Sequence, residues 1–149
     1  MPSMSRTITT VINDIIRQFG GSQDYRFCWE LPVTRNDGWE CMVDISLYRY
    51  RMDEDSKVHI SVYAYGYRKE DEPRHGGMAH YHGLSGSVVP RRLTRKWIDT
   101  VLVEAIETAR LACLAFTDAD LRPPFSRLDT LDVEEYRQEK AYFESTLNL

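Results

Sequence analysis

The chain has 149 residues, 42% of them apolar and 28% charged, with a net charge of −4. That length carries one domain with a core, and the apolar share is too high for a disordered chain. An acidic chain has no long-range pull toward a polyanion, so only a local basic patch could bind one, and no apolar run approaches the roughly 18 residues of a membrane-spanning helix.

The surplus acid sits in residues 118–149, with 8 acidic and 4 basic side chains. The opening stretch MPSMSRTITT lacks the apolar segment of a secretory signal. Cys28, Cys41 and Cys113 form an odd set without CxxC spacing, which fits three reduced thiols in the cytoplasm. In an oxidising compartment Cys28 and Cys41 would be the pair to join, strand to strand.

The spacing of Ile8, Val11, Ile12, Ile15, Ile16 and Phe19 predicts a helix over Arg6–Phe19, capped by Ser5 or Thr7 and ended by Gly20-Gly21. Period-two alternation then predicts strands at Tyr25–Leu31 and Trp39–Tyr48, joined by a turn at Asn36-Asp37-Gly38. A charged turn, Arg51–Ser56, leads to a third strand over Lys57–Tyr67. Arg68–Gly77 reads as a polar loop. A fourth strand starts at Met78 and runs through Leu84 toward Val89, with Gly83 and Gly86 marking a bend or bulge. The longest helix is expected over Leu93–Phe116 with Thr94 as its cap. Pro123-Pro124 break the chain, and Asp132 with Glu135 opens a last helix whose stripe is Val133, Tyr136, Phe143 and Leu147.

These elements predict an α+β fold: an N-terminal helix, a four-stranded antiparallel sheet, a long helix packed on one sheet face, then a Pro-rich connector and short C-terminal helix. Residues 1–118 form the domain. Residues 119–149 are the connector and terminal helix, which pack on the domain or on a partner.

The aliphatic sets of the strands belong under the helices. Their other sets carry Tyr48, Tyr50, His59, Tyr63, Tyr65 and Tyr67, and Tyr81 follows on the fourth strand. Tyrosine offers large contact area at low rotamer cost with a polar tip. The leading expectation is therefore a non-catalytic protein-binding module, an inhibitor, adaptor or accessory protein, with self-association as a homodimer included. The first alternative is nucleic-acid binding: bases stack on the sheet tyrosines, and Arg68, Lys69, Arg74, Arg91, Arg92, Arg95 and Lys96 make a phosphate-binding rim. The second is a metal-dependent enzyme. His80 and His82 share a strand face, and His59 or His75, with Asp44 or a loop carboxylate as a fourth ligand, would complete a zinc site. No HExxH, phosphate-loop or dinucleotide fingerprint accompanies them. A nucleophile–base pair can be drawn from Cys28 or Ser61 with His59 or His80, with no third group set by spacing.

Overall fold

The computed structural model describes residues 4–49, 57–70 and 76–122. Tyr50, the charged turn at Arg51–Ser56, Arg74, His75, Pro123-Pro124 and the expected C-terminal helix lie outside the described residues, as do the Ser5 and Thr7 side chains.

Helix α1 (Met4–Phe19) leads into strands β1 (Ser22–Tyr25), β2 (Cys28–Thr34), β3 (Trp39–Tyr48), β4 (His59–Arg68) and β5 (Ala79–Val88). A continuous helical stretch follows: α2 (Arg95–Trp97), a π-helical segment (Ile98–Val103) and α3 (Glu104–Ala115), with a short 3-10 turn at Asp118–Asp120. The strands form one antiparallel sheet in sequence order, β1-β2-β3-β4-β5.

The sheet has five strands, which corrects the four-stranded expectation. The predicted first strand, Tyr25–Leu31, is cut by a tight turn at Arg26-Phe27, where Tyr25 pairs with Cys28. Nothing in those two residues signals a turn; the Gln23 side chain supports it by donating to the Arg26 carbonyl at 2.7 Å. The alternation therefore changes meaning mid-run. Tyr25 is 75% exposed, while Trp29 is 1% exposed. The second half continues through Pro32 to Thr34. Past Glu30 no strand among the described residues flanks β2 on its outer side, so the missing N–H of Pro32 costs no ladder bond there.

One sheet face is sealed. Trp29, Leu31, Val43, Ile45, Ile60, Val62 and Ala64 are buried there. Helix α1 covers β1 and β2, with Ile8, Ile12, Ile15 and Ile16 inward, and Asn13 accepts the Trp29 indole N–H at 2.7 Å. Helix α3 crosses β3, β4 and β5, burying Ala105, Ile106, Ala109 and Cys113. Thr94 caps the helical stretch as expected, its Oγ1 accepting from the Trp97 N–H at 3.1 Å. At the other end Gly66 keeps room: a Cβ there would lie 2.8 Å from Cys41 Sγ and 3.0 Å from the Phe116 ring.

The helix end is tied to the β2–β3 turn by Arg35. Its guanidinium donates to the carbonyls of Cys113 (3.0 Å) and Phe116 (2.8 Å), pairs with Asp37, and lies 4.7 Å over the Trp39 ring. Those two carbonyls lie at the helix end, where a half-buried cation is the natural cap. The chain then stays with the domain: Asp118 takes two bonds from Arg68, Leu121 packs on the core, and Arg122 forms an antiparallel bridge with Met78.

The Cys28–Cys41 pair does not form. Cys28 sits opposite Ser46 on the uncovered face, and Cys41 sits opposite Val33 on the sealed one. All three cysteines are free. Cys41 meets Cys113 instead, its Sγ 3.6 Å from the Cys113 carbonyl.

Truncating Arg35 to alanine removes charge-assisted bonds to two helix-end carbonyls and is expected to cost about 2–3 kcal/mol. Arg35→Lys should recover only part, because lysine lacks the planar fork. Urea denaturation of the three proteins measures both; an Arg35→Ala midpoint equal to wild type would contradict the clamp.

Candidate functional site: the open sheet face

No described residue covers the second face of the sheet, and its composition follows from register. β3 pairs with β4 from Trp39↔Arg68 to Tyr48↔His59, without a slip. The residues between the sealed positions therefore line up in rows. One row is Glu30, Asp44, Tyr63 and His82, from β2 to β5; the next is Pro32, Met42, Tyr65 and His80. Glu40 and Tyr67 share the row beyond.

The rings of this face pack on one another. Tyr63 lies 5.9 Å from Tyr65 and 6.0 Å from His82, centroid to centroid. All three β4 tyrosines are half-buried, and His80 and His82 are exposed. Burial, with the charge of Asp44 adding to it, pushes the Tyr65 phenol up to about 12. It stays a hydrogen-bond donor throughout the physiological range. The Tyr67 hydroxyl donates to Glu40 at 2.7 Å, which raises its pKa, with burial adding to that. Burial and then the nearby His82 lower the pKa of His80.

Beside the rings runs an acidic strip that sequence reasoning did not single out as a surface. A shallow cleft of about 210 Å³ is lined by Asp24, Cys28, Trp29, Glu30, Asp44, Ile45, Ser46 and Tyr63. Burial raises the Asp44 pKa, against a hydrogen bond from Tyr63 that lowers it. Burial followed by repulsion from Asp24 and Asp44 raises Glu30. The same causes, in the same order, raise the Cys28 thiol, the reverse of what an activated nucleophile needs. Only the neighbouring strand explains this strip. Glu30 and Asp44 are 14 residues apart in the chain, and pairing alone makes them adjacent.

Of the remaining predicted residues, Tyr48 and His59 pair at the far end of this same face, and Tyr81 does not share it. Tyr81 pairs with Ala64, on the sealed side, where it borders a groove shared with Val101 and Glu104. Tyr48 stacks on His59 at 5.7 Å and shares a 3.2 Å hydrogen bond with Ser61, whose Oγ also accepts the Gly86 N–H. His59 Nδ1 is 3.1 Å from the Gly86 carbonyl. These groups serve the β4–β5 bulge, where Gly86 takes a positive φ of 65°.

His59 lies four residues up β4 from Tyr63, the partner of His82, which is about 13 Å along a strand. It cannot join His80 and His82 around one ion. Among the described residues no group of three His, Cys, Asp or Glu side chains is placed to hold a metal. Nor does the phosphate rim assemble. Arg68 and Lys69 follow the Trp39 end of the sheet, and Arg91 and Arg92 follow the opposite end beyond Val88. Arg68 is engaged by Asp118, and Arg95, paired with Asp99 at 3.4 Å, belongs with Lys96 to the helical layer. Among the described residues no helix is long and apolar enough to cross a membrane.

No family model matches this chain, and neither a curated protein nor a solved structure matches it.

Asp44 supplies a test of the electrostatics. Its folded pKa is raised, so it contributes stability that is present below its ordinary value of 3.8 and lost as pH climbs through the folded value. Asp44→Asn keeps an acceptor for Tyr63 and removes the charge. It should melt above wild type at pH 7, with the gap closing by about pH 3. A variant that melts lower than wild type at pH 7 would show that the carboxylate is welcome there.

Proposed function

We propose that this chain is a non-catalytic protein-binding module whose contact surface is the open sheet face. One observation carries the reading. Tyr63, Tyr65, His80, His82 and Met42 form a contiguous aromatic and thioether patch, and the alternate side chains of β3 and β4, such as Val43, Ile45, Val62 and Ala64, are already buried in the core. Aromatic groups with polar tips, already partly ordered by mutual packing, lose little entropy on binding.

The chemistry of the rim agrees. Glu30, Glu40 and Asp44 flank the patch, and among the described strand residues no lysine or arginine faces the same way. That favours a protein surface over a phosphate backbone. The dispersed basic residues remove the support that a base-stacking role would need.

The edges of the sheet compete poorly as alternatives. β1 is four residues long, and β5 is bulged twice and closed at Met78 by Arg122. Both are devices that discourage strand addition.

The double variant Tyr63→Ala/Tyr65→Ala should lose partner binding by at least about 2 kcal/mol, roughly 30-fold, if either ring is an anchor. Its circular dichroism should stay close to wild type, since neither ring belongs to the core. Capture from nuclease-treated native lysate, wild type against variant, reads the difference. Equal capture of the same protein by both would remove this face from consideration.

A further inference from the structure

The open face is polar across its strands. Carboxylates lie toward β2 and β3, imidazoles lie on β5, and phenols stand between them. A surface of this kind complements itself when turned over. We infer that a second copy of this chain packs on this face, sheet against sheet, about a two-fold axis running along the strands between β3 and β4. The inference rests on the protein-binding reading and names its partner.

Register makes the match specific. An axis between β3 and β4 lays β2 over β5 of the other copy and β3 over its β4. Within the row that holds Glu30, Asp44, Tyr63 and His82, Glu30 then faces the partner's His82, and Asp44 faces the partner's Tyr63. Glu30 meets a donor, and Asp44 meets a phenol rather than a second carboxylate. In the next row Met42 faces the partner's Tyr65, a sulfur against a ring. All three contacts occur twice by symmetry. An axis through β3 itself would set Asp44 on its own copy, carboxylate against carboxylate. The charge pattern therefore disfavours that axis.

Size and geometry allow it. Facing sheets stack about 10 Å apart with strand directions within about 30°. Four overlapping strands give a footprint on the order of 20 Å by 25 Å. Side-chain relief carries its accessible area toward the roughly 600–1,000 Å² per copy of a standard interface. A weak to moderate dimer is the expected outcome.

The test is a charge exchange on the full chain, followed by sedimentation velocity over about 1–200 µM, the range in which Kd values of this class are read. Wild type should dimerise. E30K alone and H82E alone should each associate at least about tenfold more weakly, because each sets mismatched groups across the axis. An equimolar mixture should regain the dimer, since the two changes bring opposite charges together at one contact and leave the other as it was. A wild type that stays monomeric overturns the inference, and so does a mixture no stronger than its parts. Circular dichroism separates unfolding from lost association. If either variant fails to fold, hydroxyl-radical labelling of wild-type Tyr63 and Tyr65 decides: it should fall as concentration rises, and constant labelling overturns the dimer. A monomeric wild type that still captures a different protein through Tyr63 and Tyr65 rejects the dimer and leaves the protein-binding reading in place.

Discussion

Period-two alternation, held in register along the whole of β3 and β4, is the constraint on which the rest of this structure depends. Ten consecutive pairs, from Trp39↔Arg68 to Tyr48↔His59, leave no freedom about which side chains are sealed. A slip of β4 by one residue against β3 would expose Val62 and Ala64 and bury three tyrosines. Both helices read the same alternation. Asn13 on α1 reaches the Trp29 indole, and Cys113 and Phe116 at the end of α3 are held by Arg35 from the β2–β3 turn. The helices cover one face because only that face is apolar, and the other face keeps its phenols and imidazoles.

Much of this was legible in the sequence because it is local. The isoleucine stripe of α1, the alternation of β3 and β4, the Thr94 cap and the glycine-marked irregularity in β5 are all written within a few residues. The hairpin at Arg26-Phe27 was not, because neither residue prefers a turn and the alternation on either side looks unbroken. Its support is a side chain three residues away and pairing with β3. Bulges hid the fate of Tyr81: Gly83 adds a residue to β5, so parity alone does not say which tyrosines are neighbours until the pairing is known. Arg35 lay beyond sequence reasoning too, since the carbonyls it caps are 78 and 81 residues downstream.

The candidate site was half legible for the same reason. Tyr63, Tyr65 and Tyr67 share a strand, so their common face follows from spacing. The acidic strip needs β2 beside β3, and the separation of His59 from His80 and His82 needs the β4–β5 register. Strand order turned a list of aromatic residues into a surface with carboxylates on one side and imidazoles on the other. It also took the basic residues apart, sending Arg68 and Arg91 to opposite ends of the sheet.

Solvent paramagnetic relaxation, read by NMR on a dilute sample, tests the two-faced sheet most directly. A soluble gadolinium chelate should broaden the side-chain signals of Tyr63, Tyr65, His80 and His82, and leave the Trp29 and Trp39 indoles and the Val43 and Val62 methyls nearly untouched. Broadening of those indoles and methyls, with the β4 tyrosines protected, would mean that the sheet faces the other way and would contradict the account.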